Sequence, residues 1–273
     1  MDDPDVPGVA PEPVNEAGRQ GLIVLRRISM LRLVEVYFAG DAEPTTERAD
    51  LVVFLQATTK RGRSVAFETL HLSLAQDRGR LWRDLNKTTQ YEIRRAESRD
   101  ALRLSVLRHP SAGELTEFVD FYDRFATGVG IARCNLGKLT ALRRPHALGI
   151  SLGRASDGRT LCAHAYIVAA GRARLLYSAT ARSPRSDAEE ASAIGRANRA
   201  LHWADIRAFQ EDGLSVYDLG GLAGEGASPR LQAIDRFKRG FGGREVVEFN
   251  CYVPKTLLGR VALVYLRRTM QPH

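Results

Sequence analysis

The stretches YDLGG (217–221) and RFKRGFGG (236–243) each end in a glycine pair, with one short segment between them. Glycine costs conformational entropy on folding and is favoured where φ must be positive or where another backbone comes close. Between the stretches, Ser228 and Pro229 provide a cap and a first-turn proline for a helix that Gly240 ends. This order predicts a strand, a helix and a second strand whose glycine turns shape a pocket.

The rest of the second half of the chain alternates helices and strands. Ser111 and Glu114 have the spacing of a capping box ahead of a helix that Gly128 closes. Three runs rich in strand-forming residues follow, separated by hairpin turns that contain Gly158 and Gly171. The predicted bounds are 148–154, 160–169 and 172–180 for these strands, about 187–212 for a long helix, and 214–220 and 244–253 for the last two strands. The second half is therefore predicted as helix, three antiparallel strands, helix, strand, helix, strand.

The first half of the chain has a similar order of elements. Strands are predicted for four runs rich in β-branched and aromatic residues, at 22–28, 31–38, 51–57 and 64–74. An apolar stripe of helical period then runs from Trp82 through Ile93 to Ala96, and a strand at 101–107 follows. These patterns predict a mixed α+β architecture in which two similar units pack as one body.

The charge distribution divides the chain into an acidic tail and a basic body. The first 20 of the 273 residues contain four prolines and five acidic residues against one arginine, which predicts a disordered acidic tail. The whole chain nevertheless carries a formal net charge of +8, so the body is strongly basic. Such a charge favours a polyanionic partner: RNA, a nucleotide-bearing substrate or an anionic membrane surface.

The cysteines and the start of the chain bear on the compartment. Cys134, Cys162 and Cys251 are far apart and form no C-x-x-C pair, so neither a zinc site nor a disulfide framework is predicted. The first residues are acidic and proline-rich rather than basic and then apolar, which does not fit a signal peptide. We therefore expect a cytoplasmic protein.

The segment KTLLGRVALVYLRR (255–268) is the candidate for membrane contact. Lys255 and the pair Arg267–Arg268 bracket its apolar residues, as in segments that lie on an anionic surface. A terminal helix or strand packed on the body is the alternative. No apolar run approaches the roughly 20 residues that span a bilayer, so only peripheral contact is expected.

Four stretches resemble motifs of the Fem-like (FemAB/FemX-type) aminoacyltransferases, a branch of the GNAT acyltransferase superfamily: LWRDLNKTTQYEIRRAE, GRANRALHWADI, YDLGG and FKRGFGG. The best-known members add amino acids from aminoacyl-tRNA to peptidoglycan precursors. The resemblance covers roughly residues 64–253 and implies tandem GNAT-like units, with mixed sheets flanked by helices. The implied units are a degenerate N-terminal one (21–109) and a C-terminal acyltransferase unit (110–273). The implied activity is transfer of an activated acyl or aminoacyl group to an amine.

Two departures from the family pattern bear on the substrates. The chain is shorter than the peptidoglycan-bridge enzymes and shows no long heptad hairpin, so the resemblance leaves the acceptor open. The CoA-binding loop of acetyltransferases, Gln/Arg-x-x-Gly-x-Gly/Ala, is half present in SAIGRA (192–197). Gly195 and Ala197 fit that pattern, but Ser192 stands in its first position. Acyl-CoA is therefore the alternative donor and not the leading one.

The strands at 172–180 and 214–220 carry the first group of candidate residues. In a GNAT-like unit the equivalent strands splay apart and frame the ester or thioester that reacts. The resemblance therefore places Tyr177, Ser178 and Asp218 near the chemistry. Asp218 would accept the amine proton or orient the acceptor; alternatively its carboxylate only ties down the adjacent glycine turn.

Lys238 and its neighbours are the second group of candidates. Lys238 follows Phe237, which lies on the apolar stripe of the predicted helix, so its side chain would reach the edge of a cleft. The resemblance implies a cation that stabilises the oxyanion or holds phosphates of tRNA or CoA, whereas a solvated surface lysine is the alternative. The residues expected to line the substrate pocket here are Phe237, Gly220, Gly221 and Gly242.

Two histidines are candidates on the remaining elements. His164 shares a strand face with Cys162 and Tyr166 and would act as a base, or it is a hydrogen-bonded core histidine. Asn198 and His202 have helical i, i+4 spacing, which is compatible with lining the cleft or with bonding to the backbone. No metal site is predicted, because no third ligand accompanies this pair.

The basic segment 60–108 is the candidate RNA-binding surface. It contains twelve Lys and Arg residues against six Asp and Glu residues, with Tyr91 close to Arg94 and Arg95. Arginine forks next to an aromatic ring suit phosphate binding and base stacking. A solvated helix face is the alternative.

The leading hypothesis is a transferase that moves an aminoacyl group from aminoacyl-tRNA to an amine of a small molecule or peptide. The reaction forms an amide bond and needs no permanently bound cofactor. A donor that is an acyl-CoA or a carrier-protein thioester is the alternative. A hypothesis of another class is a non-catalytic RNA- or nucleotide-binding module that has kept the fold and lost the reaction. The joint presence of Asp218, Lys238 and the glycine pairs favours an enzyme.

Overall fold

A computed structural model describes residues 21–40, 49–182, 187–224 and 226–269, and the acidic tail predicted for 1–20 lies outside these residues. The described chain forms one mixed sheet of ten strands flanked by helices, which confirms the predicted α+β class. The strands are β1 (Leu22–Ile28), β2 (Leu31–Tyr37), β3 (Leu51–Ala57), β4 (Arg63–Ser73), β5 (Arg103–Leu107), β6 (Leu148–Arg154), β7 (Thr160–Ala169), β8 (Arg172–Thr180), β9 (Val216–Gly221) and β10 (Arg244–Pro254). The helices are α1 (Arg78–Asp84), α2 (Lys87–Arg99), α3 (Ala112–Val129), α4 (Leu136–Arg143), α5 (Ala188–Glu211), α6 (Pro229–Arg239) and α7 (Leu257–Thr269).

The sheet has the order β1-β2-β3-β10-β4-β9-β8-β7-β6-β5. The pairs β2–β3 and β8–β9 are parallel, and the other neighbouring strands are antiparallel. β10 follows β9 in the chain but lies between β3 and β4, so the sheet continues across the predicted boundary at residue 109. The division into two units stays a prediction, although each half contributes one parallel pair.

Helices cover both faces of the sheet and bury two apolar cores. On one face, α3 and α4 pack through Phe118 and Leu142 against strand residues such as Ile150. On the other face, α1, α2 and α5 contribute side chains such as Ile93 and Phe209. Removal of these apolar surfaces from water is the main driving force that holds the layers together. We call the two sides the α3/α4 face and the α2/α5 face.

Element boundaries agree closely with the sequence prediction in the second half. The three hairpin strands β6, β7 and β8 are confirmed residue for residue. The capping box is confirmed as well, because Ser111 and Glu114 each accept a hydrogen bond from the other's backbone N–H. The prediction that Gly128 closes α3 is wrong, because the helix ends at the left-handed Gly130 with φ +72°.

The helical stripe predicted in the first half is interrupted. Leu85 and Asn86 are extended, and the Asn86 side chain accepts a hydrogen bond of 2.7 Å from the Thr89 N–H, so α2 starts as a separately capped helix. The sequence analysis also missed α4, which Asn135 caps. That helix has eight residues with no clear apolar period, so pattern reasoning had little signal there.

The segment 255–268 forms most of α7, in agreement with the packed-helix alternative. Gly259 lies against the Asp50 backbone, where a Cβ would come within 1.8 Å of the carbonyl oxygen. The outward side chains of the helix are apolar and 40–77% exposed: Leu257, Leu258, Val261, Val264 and Tyr265. No helix in the described part of the chain combines the length and the apolar character of a membrane-spanning segment.

Candidate active site

The parallel pair β8–β9 opens into a cleft. The two strands pair over three residues and separate after Arg174–Asp218. A bulge at Leu176 shifts the pairing of β8 with β7 close to the same point. Residues 174–178 are partly exposed, although β8 lies inside the sheet and the facing part of β7 is buried. The sheet is therefore interrupted here, as the resemblance to GNAT-like units implied.

Gly220 shapes one wall of this cleft. It has φ +74°, and a Cβ at this position would lie 3.0 Å from the Leu175 backbone oxygen. A left-handed backbone favours glycine, because other residues pay a steric cost there. The Asp218 carboxylate accepts a hydrogen bond of 2.8 Å from the Gly220 N–H, which fixes the turn. Gly221 follows at the end of β9, where a Cβ would come within 3.1 Å of the Phe67 ring.

Asp218 is fully buried on the α3/α4 side of β9. Its oxygens accept hydrogen bonds from the Thr69 hydroxyl, the Gln56 amide and the Gly220 N–H. Burial alone would raise its pKa, but the His71 ring nitrogen at 3.4 Å and the charge of Arg174 outweigh that effect. The pKa of Asp218 therefore lies well below its usual range. An ionised carboxylate with these partners is a weak base, which favours the turn-fixing alternative.

A second buried carboxylate lies beside Asp218. Glu248 on β10 accepts hydrogen bonds of 2.6 and 3.0 Å from Arg172 and one of 2.9 Å from Gln56. With His71, the two carboxylates offer three metal-ligand atoms within 4.8 Å of one another. The oxygens of both acids that face His71 already accept a bond from the Gln56 amide, so a metal ion would have to displace that donor. The arrangement is a charge network under the cleft in which the carboxylate oxygens are satisfied, whereas the buried Nε2 of His71 has no hydrogen-bond partner among the described residues.

Lys238 reaches the end of β9 from α6. Its Nζ donates a hydrogen bond to the Gly221 carbonyl oxygen. Asp235, one turn earlier, accepts hydrogen bonds from the N–H groups of Ala223 and Gly224, at 3.0 and 3.2 Å, and so holds α6 against the chain that leaves β9. Burial lowers the pKa of Lys238. The structure thus brings Lys238 to the glycine turn, as the sequence analysis expected.

The predicted base His164 lies on the other side of the sheet. It is fully buried, with Nδ1 2.8 Å from Asp205 and Nε2 2.9 Å from the Asn198 side-chain oxygen. His202 stacks on it with ring centroids 4.1 Å apart and contacts the Tyr217 hydroxyl at 2.6 Å. Burial lowers the pKa of His202 well below its usual value, so this ring is neutral. His164, Asn198 and His202 form one satisfied core network, and the core-histidine alternative is favoured.

The set His164, His202 and Asp205 also has three metal-ligand atoms within 4.8 Å of one another. All three residues are buried on the α2/α5 face. Both ring nitrogens of His164 and the Nδ1 of His202 are engaged in the contacts described above, whereas Asp205 and His164 supply the further ligands that the sequence did not reveal, so the absence of a metal site stays a prediction.

Tyr177 and Ser178 point to opposite faces of β8. The Tyr177 hydroxyl accepts a hydrogen bond of 3.1 Å from the Asn135 N–H, and its ring lies 4.7 Å from that of Tyr122 on α3. Burial raises the pKa of Tyr177. Ser178 pairs with His164 across the β7–β8 ladder and therefore faces α5. The structure does not bring these two side chains together.

The predicted RNA-binding residues lie on the outer surface of α2. Tyr91 is 58% exposed, and Arg95 contacts its hydroxyl at 3.4 Å. The guanidinium of Arg94 lies 5.2 Å from the centre of the Trp82 ring. These contacts orient two arginines beside an aromatic ring while leaving them accessible to a ligand.

Arg199 on α5 extends this basic surface towards α6. Its guanidinium lies 4.9 Å from the Phe237 ring centre, and burial lowers its pKa. Lys238 follows Phe237 in α6, so Arg199 lies close to the turn of α6 that carries Lys238. We call the residues Tyr91, Arg94, Arg95, Arg199, Phe237 and Lys238 the basic track. The sequence analysis did not identify Arg199, although its place one turn before His202 was visible.

Gly242 lines a cavity of about 420 Å³ together with His71 and Arg244. It has φ +77°, and a Cβ there would lie 2.7 Å from the Asp84 carbonyl oxygen. The adjacent Gly243 has φ +91° and approaches the His71 carbonyl oxygen in the same way. These glycines let the turn between α6 and β10 pack on the end of α1, so they act in the fold.

A cavity of about 850 Å³ lies beyond the end of β8, between α3 and the start of α5. Arg124, Arg159 and Arg182 line it, but Asp187 caps α5 and two glutamates, Glu189 and Glu190, follow in its first turn. A helix N-terminus attracts anions, yet here carboxylates already occupy that position. The stretch 192–197 lies inside α5, where its N–H groups belong to the helix, and is not a phosphate-binding loop.

No protein-family model matches the chain, and no curated protein matches it in sequence. Solved structures do match. FemX has a TM-score of 0.59 at 10% identity, over 88% of this chain and 86% of FemX. L-PGS from Bacillus licheniformis has a TM-score of 0.51 at 14% identity, over 93% and 87% of the two chains. The C-terminal domain (DUF2156) of an Agrobacterium fabrum protein assigned as a lysylphosphatidylglycerol synthetase has a TM-score of 0.53 at 14% identity, over 91% and 85%.

The chain has a GNAT-type fold, which it shares with FemX. At sequence identities of 10–14%, these matches show that the backbone folds are similar, and they do not identify the substrates of this protein. Within the GNAT-type fold, β8 and β9 are the splayed parallel pair, and α6 carries Lys238 to its mouth.

Proposed function

We propose that the protein is an aminoacyltransferase that moves an aminoacyl group from aminoacyl-tRNA to an amine of a small molecule or peptide. The observation that carries the proposal is the parallel pair β8–β9, which separates after Arg174–Asp218 and has Lys238 at the end of β9. The gap between β8 and β9 gives the aminoacyl ester access to the centre of the sheet. The Lys238 ammonium at the opening of this gap would face the negative charge that develops on the carbonyl oxygen during the reaction.

The proposed chemical step balances without a cofactor. The neutral amine nitrogen attacks the carbonyl carbon of the aminoacyl ester, and a C–N bond forms as the C–O bond to the ribose breaks. The amine proton ends on the released ribose oxygen. The Lys238 ammonium has three donors, and one of them holds Gly221, so two are left to stabilise the oxyanion.

Two features support aminoacyl-tRNA over acyl-CoA as the donor. The stretch 192–197 is helical, and the start of α5 carries Asp187, Glu189 and Glu190, which disfavours a pyrophosphate at that helix end. The basic track, in contrast, leads from the exposed surface of α2 to Lys238. Such a series of cations with aromatic rings suits a single-stranded 3′ end. Because charged tRNA is the donor, we propose that the reaction takes place in the cytoplasm.

The donor is tested with the purified protein and one fluorescent amine as acceptor probe. Transfer from a mixture of charged tRNAs, abolished by RNase treatment of the donor, supports the proposal. Transfer from acyl-CoA or from a loaded carrier protein, with none from charged tRNA, overturns it in favour of the thioester alternative.

The rival of another class is a module that binds RNA and catalyses nothing. Lys238→Met separates the two, because it removes the ammonium and keeps the length of the side chain. An enzyme loses much more turnover than tRNA affinity, because Lys238 is only one of four cations in the basic track. A binding module shows no transfer in the wild-type protein, whatever the donor.

We also propose that α7 rests on an anionic membrane surface. Its outward face consists of Leu257, Leu258, Val261, Val264 and Tyr265, and exposed basic residues, Lys255 and Arg260, flank it. An apolar stripe with basic flanks on a chain of net charge +8 complements an anionic lipid surface and repels a second copy.

Vesicle flotation tests this contact with phosphatidylglycerol–phosphatidylcholine vesicles and with phosphatidylcholine vesicles alone. Val261→Glu is expected to abolish binding to the anionic vesicles, and Val247→Glu, at an exposed site on β10, is the matched control. Equal binding of the wild type and Val261→Glu overturns the contact. A wild-type dimer that Val261→Glu dissociates would assign the face to a second copy instead.

A further inference from the structure

A group of charges surrounds the open part of β8 on the α3/α4 face. Three buried carboxylates belong to it: Glu35, Asp218 and Glu248. Four cations face them: Arg26, Lys138, Arg172 and Arg174. Positive charge is therefore in excess in a region where solvent is largely excluded.

Every oxygen of the three carboxylates already accepts a hydrogen bond. Glu35 accepts from Arg26 at 2.9 Å and from the Tyr37 hydroxyl at 2.6 Å. The oxygens of Glu248 and Asp218 are occupied by Arg172, Gln56, Thr69 and Gly220. The oxygens of these acids are thus occupied by hydrogen-bond donors other than Arg174, although the charge of Asp218 still acts on Arg174.

Arg174 is the cation that these pairings leave out. Among the described residues it forms no hydrogen bond and no ion pair, and its Nε is buried without a partner. The guanidinium lies 5.5 Å from the centre of the Phe67 ring, which supports one side of it. Burial lowers the pKa of Arg174, although Asp218 lies close enough to counter part of the effect. An unpaired, partly buried guanidinium is costly, and an anion that binds it removes that cost.

We infer that the Arg174 guanidinium is the docking point for an anionic group, a carboxylate or a phosphate, of the acceptor amine. The inference rests on the proposed function, because it names the acceptor of that same cleft. The planar fork of Arg174 offers two parallel donors to either anion. Lys138, within electrostatic reach of Arg174, adds a second positive charge beside it.

The position of Arg174 limits the size of the acceptor. It lies in the last residue pair that joins β8 to β9, two residues before the bulge at Leu176. Two residues of a strand span about 7 Å. An amine at the opening of the cleft and an anion on Arg174 are therefore a few bonds apart, as in a small amino acid or an aminoalkyl phosphate.

Binding is tested first, because it does not depend on transfer. Phenylglyoxal labels accessible arginines, and peptide mass spectrometry locates the label. Inorganic phosphate and succinate are the probes. We expect at least one of them to protect Arg174 while leaving Arg103, an exposed arginine on the edge strand β5, fully labelled. Equal protection of both arginines, or of neither, overturns the inference.

Transfer then identifies the anion and tests the variants. The acceptors are matched pairs: β-alanine with β-alaninamide, and O-phosphoethanolamine with ethanolamine. The wild type is expected to prefer the anionic member of one pair at least tenfold in kcat/KM. Arg174→Met should remove that preference, Arg174→Lys should keep part of it, and Arg103→Met should leave it intact. Transfer without any preference for the anionic acceptor overturns the anion site and leaves the proposed function standing. Protection of Arg174 without any transfer supports the anion site and overturns the proposed function.

Discussion

The two parallel strand pairs of the sheet differ in one respect that bears on function. β2 and β3 pair over five residues, from Leu33–Leu51 to Tyr37–Leu55, and most of both strands is buried. β8 and β9 pair over three residues and then separate. The first pair is closed and the second is open, although both sit at corresponding places in the two halves of the sheet.

The difference shows what opens a parallel pair. The open pair has a bulge at Leu176 on one strand and a left-handed glycine, Gly220, on the other. A bulge redirects a strand, and a positive φ turns its neighbour away, so the ladder cannot continue. The closed pair keeps its register over all five residue pairs and ends at Tyr37–Leu55, where Phe38 (φ +58°) and Gln56 (φ +55°) are left-handed.

The largest expected effect comes from adding one methyl group to the wall of the open pair. Gly220→Ala forces alanine into a left-handed backbone and places its Cβ 3.0 Å from the Leu175 oxygen, so the strands must shift. We expect kcat/KM to fall about 10²-fold, because a shift near 1 Å at a reacting centre has that effect. The free energy of unfolding should fall by about 1–2 kcal/mol.

Gly158→Ala is the matched control for that variant. Gly158 has φ +87° at the hairpin between β6 and β7, and its Cβ would meet nothing within 4 Å. The backbone strain is therefore similar, but the cleft is untouched. Equal losses of activity in the two variants, measured beside chemical denaturation, would show that Gly220 acts through stability alone and would remove the special role of the open pair.

The next effect concerns the cation at the mouth of the open pair. Lys238→Met should lower kcat by about 10²-fold, since loss of one oxyanion-stabilising donor has this effect. Lys238→Arg should recover only part of it, because a planar fork does not replace a compact ammonium. The Lys238–Gly221 hydrogen bond is lost in the methionine variant, so its unfolding is measured as well. If Lys238→Met keeps the turnover of the wild type, Lys238 has only a structural role.

The sequence predicted the position of the open pair better than its chemistry. Glycine turns, strand periodicity and the capping box are local signals, and they located β8, β9 and α6 correctly. Whether a buried polar residue faces a cleft or a core depends on long-range packing, and no local pattern contains that information. For this reason His164, Asn198 and His202 were grouped with the cleft, although they lie on the α2/α5 face.

Arg174 is a functional candidate that local sequence patterns did not identify. Arginines at 172 and 174 alternate along β8, a pattern that is unusual in a strand inside a sheet. This pair of arginines is a local signal for a charged face of the strand. The pairing of Arg172 with Glu248, which leaves Arg174 without an acid, depends on a residue 76 positions away along the chain.

A smaller effect is expected on the surface that leads to the open pair. Arg94→Glu together with Arg95→Glu should weaken tRNA binding and reduce the slope of log K against log salt by about one or more, because fewer counterions are released. Filter binding over a salt series measures it. Arg78→Glu, at an exposed residue paired with Glu211, is the control and should change the slope less. An unchanged slope in the double variant removes α2 from the binding surface.

The smallest expected effect is on stability and concerns Lys138 of α4, which packs against the closed pair β2–β3. Its Nζ lies 5.2 Å from the Tyr37 ring centre and 3.9 Å from Glu35, and both of these residues belong to β2. Burial lowers the pKa of Lys138 to about 8, and the charge of Glu35 only partly counters that effect. The folded protein thus releases a proton that the unfolded chain keeps until about pH 10.4. Between about pH 8 and about pH 10.4 the unfolded chain therefore binds more protons than the folded protein, so the free energy of unfolding rises with pH in this window. Below and above the window, Lys138 adds no pH dependence.

Lys138→Met isolates that contribution, because the other titrating groups are the same in both proteins. We expect the wild type to gain about 1–3 kcal/mol of unfolding free energy relative to the variant across this pH window. Urea denaturation at pH 7 and at several values up to pH 10.5 measures the difference. A difference that stays constant with pH would mean that water reaches Lys138 and solvates its charge. The contact between α4 and the closed pair would then be loose, and the contrast between a closed first half and an open second half would rest on strand pairing alone.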